Sequence, residues 1–126
     1  MKRLLISVAL LIACFSVCLY GNFKIDKGAD LLVEELNDAF SLIQNDNADE
    51  YVSAQLEKCS AMWNEIKPTF SIFLSHELFR TLEAVMPVLK QSYESDREIC
   101  ANNILQARAT LEDIIEGQKM IIGNLL

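Results

Sequence analysis

The feature that most constrains this chain is an uncharged apolar run close to its N-terminus. The run occupies residues 4–20 and follows the basic pair Lys2-Arg3. Extended to Phe23 it reaches 20 residues of low polarity, which as a helix is roughly 30 Å long and sufficient to cross a bilayer. We therefore predict that residues 1–23 form a signal anchor or signal peptide, and that residues 4–23 contact the lipid bilayer.

The sequence leaves three fates open for this segment. The run ends without a clear A-x-A cleavage site, although Ser16 and Cys18 are small enough to be tolerated at one. The stretch Leu11-Ile12-Ala13-Cys14 resembles a bacterial lipobox, but it would give a very short signal and leave an apolar sequence after Cys14. An uncleaved single-pass anchor is favoured. All three fates place the body on the extracytoplasmic side of the cell membrane, because the basic N-terminus stays inside.

The charge of the remaining chain excludes one class of partner. Every acidic residue, 18 in all, lies at or beyond Asp26, whereas two of the 11 basic residues precede the apolar run. The remainder thus carries 9 basic against 18 acidic residues, a net charge of −9. Such a body is repelled by nucleic acid phosphates and by anionic lipid headgroups. No nucleic acid partner is expected.

Beyond residue 24 the apolar residues recur at steps of three and four, which is the period of an amphipathic helix. They form four stripes: Leu32, Leu36, Ala39 and Ile43; Val52, Leu56, Cys59, Trp63 and Ile66; Phe70, Leu74, Leu78, Leu82, Val85 and Leu89; and Ile104, Ala107, Leu111, Ile114, Ile121 and Leu125. The stripes predict four helices and a core made of their apolar faces.

The breaks between the stripes contain residues that end or begin helices. Asn45-Asp46-Asn47 is expected to separate the first two helices, with Asp49 and Glu50 in the next first turn. Pro68 is expected to end the second helix. Ser95 and Glu98 have the spacing of a capping box. Pro87 lies between apolar residues of one stripe and predicts a kink.

Short connections favour antiparallel neighbours. The sequence therefore predicts an all-α fold, in which the N-terminal transmembrane or signal-anchor helix leads into an up-down antiparallel four-helix bundle over residues 24–126, kinked at Pro87. In that topology Cys59 and Cys100 lie on diagonal helices and are offset by roughly 9 Å along the bundle. Because a disulfide needs closely spaced Cα atoms, we expect both cysteines to be free, small core residues.

The chain offers few residues for chemistry. His76 is the only histidine, and position 80 of the would-be zinc motif His76-Glu77 is Arg80. The acidic stretch from Asn45 lacks the glycine and the final glutamate of a calcium loop. No nucleophile has an evident base, and no glycine-rich phosphate loop is present. We expect a protein that is not an enzyme and has no cofactor or metal, with His76 on the surface and Trp63 in the core.

One apolar patch is the candidate binding site. In the predicted topology the turn near Pro68 and the C-terminal apolar stretch both lie beside the membrane. At 100° per residue Phe70 and Leu74 would face the core, while Ile72 and Phe79 point nearly the opposite way. Partner binding is therefore assigned to Ile72, Phe73, His76 and Phe79. The alternative is a broad apolar stripe that contacts two neighbouring helices.

The chain also resembles a known family. The resemblance rests on the Lys-Arg-Leu-Leu start with its apolar run, Trp63, the pattern Ser71-x-Phe73-x-x-His76-Glu77, and the closing Asn124-Leu125-Leu126. These features are similar to a domain-of-unknown-function family of short membrane-anchored four-helix proteins from Gram-positive, mostly spore-forming bacteria. The resemblance implies one anchor, a helical extracytoplasmic body and genes beside an uncharacterised multi-span membrane protein. It implies no activity, and Pro87 departs from the uninterrupted third helix expected of it.

Two functional hypotheses follow. The first is a non-catalytic interaction or accessory module for an integral membrane protein. The second is a sensor-like bundle that binds a small apolar or cationic ligand between its helices.

Overall fold

The computed structural model describes residues 1–46 and 48–125, with side chains as far as Met120. Every element within these ranges is helical, and no strand occurs in them, so the predicted all-α class is confirmed. The elements are α1 (Lys2–Gln44), α2 (Asp49–Phe73), α3 (His76–Val85), a 3-10 helix (Met86–Val88), α4 (Leu89–Ser95) and α5 (Arg97–Leu125).

Helix α1 contains both the apolar run and the first stripe of the core without a break at residue 23. Residues 1–20 are exposed on every side, and burial begins at Gly21 and Ile25. Among the described residues, α1 is the one helix long and apolar enough to cross a membrane. Membrane anchors and cleavable signal sequences share this length and composition.

The core is formed by the predicted stripes. The first stripe is buried along its whole length, as are Trp63 and three of its stripe neighbours on α2, while Ile66 is half-buried against them. Leu82, Val85, Leu89 and the α5 stripe from Ile104 to Ile114 complete the cluster. The predicted core positions Ile121 and Leu125, and the apolar stretch that follows Met120, lie outside the described side chains.

The connection between α1 and α2 follows the prediction in part. Helix α1 ends at Gln44, and Asp46 adopts a left-handed backbone with φ of 56°, a conformation that aspartate tolerates better than most residues. Asp49 and Glu50 occupy the first turn of α2, where acidic groups are favoured by the helix dipole. Asn47, the third member of the predicted break, lies outside the described residues.

Pro68 does not end α2, contrary to the prediction. The helix continues to Phe73, and the next helix begins at His76, where the Ser75 hydroxyl accepts a hydrogen bond from the Leu78 backbone N–H at 3.4 Å. Proline inside a helix costs about 3 kcal/mol. Full burial of Phe70 contributes about 1.5–3 kcal/mol, and Phe73 adds further contact with α1. These contacts offset the cost of the proline.

The structure also differs from the prediction at Pro87 and at the start of α5. The stripe predicted as one helix is divided twice. Its first residues, Phe70 and Leu74, lie at the end of α2, and the 3-10 helix that contains Pro87 separates α3 from α4. The predicted capping box at Ser95 and Glu98 is wrong, since Ser95 is the last residue of α4. The cap is Asp96, whose Oδ1 accepts a hydrogen bond from the Glu98 backbone N–H at 2.8 Å.

Contacts between two neighbouring helices occur in opposite order along the two helices, as expected for antiparallel packing. On α1 and α2, Glu35 bonds to Gln55 near the start of α2, whereas Gly28 lies beside Ile66 near its end. Helix α5 contacts α1 in the same manner. Arg97 bonds to Asp46, and Arg108 bonds to Asn37 at 2.9 Å. Helices α2 and α5 thus both run back along α1 toward its exposed apolar segment.

Candidate interaction surface

The exposed segment of α1 enters the bundle at Gly21, where the ring of Phe73 lies against the helix backbone. A Cβ atom added to Gly21 would lie 2.6 Å from Phe73 Cε1, closer than real Cβ atoms approach. Seven residues later, a Cβ on Gly28 would lie 3.4 Å from Ile66 Cδ1. The end of α2 therefore packs directly on the glycine face of α1. We call the end of the bundle around Gly21 and Phe73 the base.

The four residues assigned to partner binding do not share one exposed face. Ile72 is 75% exposed and His76 is exposed, but Phe73 is half-buried against Gly21. Phe79 is half-buried, and its ring centroid lies 5.8 Å from that of Trp63. The prediction that Phe79 points away from the core is wrong. The prediction assumed one continuous helix with 100° of rotation per residue. Leu74 and Ser75 lie between α2 and α3 and interrupt that rotation, so Phe79 faces another direction.

Ile72 instead belongs to a set of exposed apolar residues around the base. Met120 is 66% exposed. Arg108 of α5 bonds to Asn37 of α1, and the two helices run in opposite directions. Met120 lies twelve residues after Arg108, and Ile25 lies twelve residues before Asn37. Met120 is therefore at about the same height along the bundle as Ile25. Tyr20 and Phe23 of α1, just before this level, are exposed to 66% and 65%. We call Tyr20, Phe23, Ile72 and Met120 the collar.

Basic residues follow the apolar segment at the same level. Lys24 Nζ lies 6.0 Å from the centroid of the Tyr20 ring, within the range of a cation–π contact. Lys27 follows one turn later and is exposed. Tyrosine and lysine have apolar stems and polar ends, and they are common where a helix leaves the hydrocarbon region. In the sequence, the end of the apolar segment is visible as the first charges after it, and the predicted topology placed Ile72 at the same end of the bundle.

The titratable residues that the structure brings together in the middle of the bundle stabilise helix contacts. Trp63 Nε1 donates a hydrogen bond to Glu83 Oε2 at 3.0 Å, and Lys67 Nζ donates to Glu83 Oε1 at 2.7 Å. The carboxylate thereby joins α2 to α3. On α1, the side-chain hydrogen bond from Gln55 and the charge of Lys58 lower the pKa of Glu35, despite an opposing effect of partial burial.

A second polar cluster closes the end of the bundle opposite the base. Tyr93 Oη donates to Asp49 Oδ1 at 2.6 Å, and Arg97 Nη2 donates to the same oxygen at 3.1 Å. The bond from Tyr93, followed by that from Arg97, lowers the pKa of Asp49. Burial and the bond to Asp49 raise the pKa of Tyr93. This cluster links the start of α2 to the end of α4 and the start of α5.

The thiols in the body are unpaired, as predicted, and both are buried. Burial raises the pKa of Cys59 to about 12 and the pKa of Cys100 to about 11. Thiols in this state are poor nucleophiles because little thiolate forms near neutral pH. Within the described ranges, no group of three or more histidine, cysteine, aspartate or glutamate residues is placed to hold a metal ion.

Comparison with protein-family models gives a match over most of the chain. The family model of DUF4363, described as a domain of unknown function, matches residues 19–125. The matched range begins just before Gly21 and includes α2 to α5, whereas the first 18 residues lie outside it. No curated protein and no solved structure matches the chain.

Proposed function

The chain belongs to the DUF4363 family, whose function is unknown, and we propose that it is a non-catalytic accessory protein of an integral membrane protein. In this proposal residues 4–23 anchor the chain in the cell membrane, and the helical body lies on the extracytoplasmic side. The body docks on its partner through the collar. The observation that carries the proposal is the exposure of Ile72 and Met120 beside the point where the apolar segment of α1 ends and enters the bundle.

The geometry of α1 supports a fixed position of the body above the bilayer. A single helix contains both the apolar segment and the first buried stripe, so the proposed anchor and the bundle share one axis. We extend the opposite order of the helix contacts to an up-down four-helix bundle, whose third arm is bent at Pro87. The α2–α3 connection and the end of α5 then both lie at the membrane surface, with Ile72 and Met120 beside the end of the anchor.

Two observations favour a protein partner over lipid for the part of the collar outside α1. The body carries a net charge of −9 after the apolar run, which opposes attraction to anionic headgroups. Ile72 also lies on a helix end that is fixed by the contact between Phe73 and Gly21. A rigid exposed apolar side chain beside an anchor is suited to contact with a neighbouring transmembrane protein.

Site-specific photocrosslinking in native membranes tests the proposal. A benzoylphenylalanine placed at Ile72 of the full-length chain is expected to form an adduct with one integral membrane protein, identified by mass spectrometry. The matched control is the same substitution at Tyr51, which is 67% exposed near the start of α2, at the other end of the bundle. The control is expected to give no such adduct.

Two outcomes would contradict the proposal. Adducts with lipid alone at position 72 would mean that the collar rests in the interfacial layer and has no protein partner. The same protein adduct in equal yield from positions 72 and 51 would mean that docking does not involve the base. A companion pair, Ile72→Ser and Tyr51→Ser, is expected to differ in the same sense, with only the first losing association while both remain folded.

A further inference from the structure

A small cavity lies at the base between the α2–α3 connection and α5. Its volume is about 170 Å³. Leu74 and Leu78 form an apolar wall with Ile114 of α5, and Asp113, Gly117 and Gln118 lie on the same α5 side. The collar does not include these three α5 residues, so the cavity is distinct from the proposed docking surface.

Gly117 leaves space on the α5 side of the cavity. It lies well inside α5, where glycine is about 1 kcal/mol less favourable than alanine. A Cβ atom built on Gly117 would meet no described atom within 4 Å. Packing within the described part of the chain therefore does not require glycine here. The absence of a side chain keeps one wall of the cavity open.

Gln118 provides a buried acceptor beside that open wall. The residue is only 5% exposed, and its Oε1 has no hydrogen-bond partner within the described part of the chain. An unsatisfied buried acceptor costs about 1–3 kcal/mol. The last torsion of a glutamine side chain has a broad, nearly two-fold profile, so the amide can rotate toward the cavity at small cost. Once the amide has rotated in this way, a donor in the cavity would satisfy this oxygen.

Asp113 adds a negative charge at the same wall. It lies on α5 one turn before Gly117, and it is exposed. A carboxylate and an amide oxygen both accept hydrogen bonds, and together they favour a cationic donor. Leu74 and Leu78 on the facing side, with Ile114 beside Asp113 on α5, favour an apolar body.

We propose that this cavity binds a small organic ammonium compound whose apolar part is about the size of a benzene ring. The ring lies against the apolar wall over Gly117, and the ammonium group donates to Gln118 Oε1 and the carboxylate of Asp113. The volume is suitable, because a protein cavity of about 150 Å³ accommodates benzene. The site is independent of the proposed partner docking.

Ligand titration of the full-length chain in zwitterionic detergent micelles tests the site. The probe is benzylamine, a cation at neutral pH, and benzyl alcohol is its neutral counterpart. Binding is followed through the backbone amide signal of Gly117 and the side-chain amide signals of Gln118 in nuclear magnetic resonance spectra. Benzylamine is expected to shift these signals saturably and to bind about threefold more tightly than benzyl alcohol, which is the contribution of a solvent-exposed charge pair.

Three variants separate the parts of the site. Gly117→Leu fills the cavity and is expected to weaken both probes about tenfold or more. Glu116→Leu, the matched control, adds the same side chain at an exposed neighbouring position outside the cavity and should leave binding unchanged. Asp113→Asn should abolish the preference for benzylamine while benzyl alcohol binds as before. Folding of each variant is checked by its amide spectrum, and Gly117→Ala, which favours the helix, replaces Gly117→Leu if the latter unfolds.

The proposal is overturned by either of two results. Signal shifts that rise linearly with probe concentration in the natural chain would show partitioning into the micelle and no site. Equal binding of both probes, unchanged in Asp113→Asn, would exclude an ammonium ligand.

Discussion

The ring of Phe73 packs against Gly21, the residue at which the exposed segment of α1 becomes part of the bundle. The ring occupies the space that any larger residue at position 21 would need. Phe73 follows Pro68 by more than one turn, so the contact exists only because α2 continues past the proline. The glycine and the helix extension thus jointly determine where the base lies.

The first prediction concerns this contact. Gly21→Ala is expected to lower stability, because overpacking costs about 1–3 kcal/mol and exceeds the gain in helix propensity of about 1 kcal/mol. Gly28→Ala is the matched control. Its Cβ would make an ordinary contact at 3.4 Å from Ile66, so stability should be unchanged or higher. Thermal unfolding in detergent, followed by circular dichroism, measures both.

The double variant Gly21→Ala with Phe73→Leu tests the cause. If the ring is the source of the strain, the two changes are coupled, and the double variant loses less than the sum of the single variants. Additive losses would mean that Gly21 is needed for another reason.

The second prediction concerns the bond that joins α2 to α3. Glu83→Ala leaves the buried Trp63 N–H without its acceptor and is expected to cost about 1–3 kcal/mol. Glu83→Gln retains an acceptor and loses only the partly exposed pair with Lys67, which contributes about 0–1 kcal/mol. Because Trp63 is the only tryptophan, its fluorescence reports on unfolding directly. An equal loss in both variants would show that the ion pair, and not the indole bond, stabilises this contact.

The third prediction concerns pH. The bonds from Tyr93 and Arg97 lower the pKa of Asp49 in the folded chain, so this carboxylate contributes stability above its unfolded pKa of about 3.9. The contribution is lost as the pH falls through the lowered folded pKa. Asp49→Asn is therefore expected to melt below the natural chain at pH 6, and the gap should shrink below about pH 4. Tyr93→Phe removes the main bond and should show the same pH dependence; a gap independent of pH in both variants would contradict this account.

Much of the core was predictable, because a helical period is visible in the sequence wherever one face is buried. The buried positions Leu36, Leu56 and Leu111 all follow from that period. Helix ends were less predictable, since tertiary contacts outweigh local preference. Burial of Phe70 stabilises α2 beyond Pro68. The side-chain oxygen that caps α5 comes from Asp96, one residue after the predicted cap Ser95.

The candidate site was predicted only in part. Exposure of Ile72 was expected correctly, but Phe79 was misplaced because a two-residue break between helices resets the angular position of everything after it. Gly117 and Gln118 carried no signal, since neither a glycine nor a glutamine interrupts a helical pattern strongly. Gly117 matters because of the open space beside it, and Gln118 matters because its Oε1 has no hydrogen-bond partner among the described residues. Both properties depend on how α2, α3 and α5 pack together.

In the proposed arrangement the base, and not the opposite end of the bundle, lies at the membrane surface. Fluorescence quenching by brominated phosphatidylcholine tests it in the full-length chain reconstituted in bilayers, because bromine quenches tryptophan only at short range. Ile72→Trp and Tyr51→Trp each add one reporter to the common background of buried Trp63. Additional quenching is expected for Ile72→Trp and none for Tyr51→Trp. Quenching of Tyr51→Trp, or none in either variant, would contradict it.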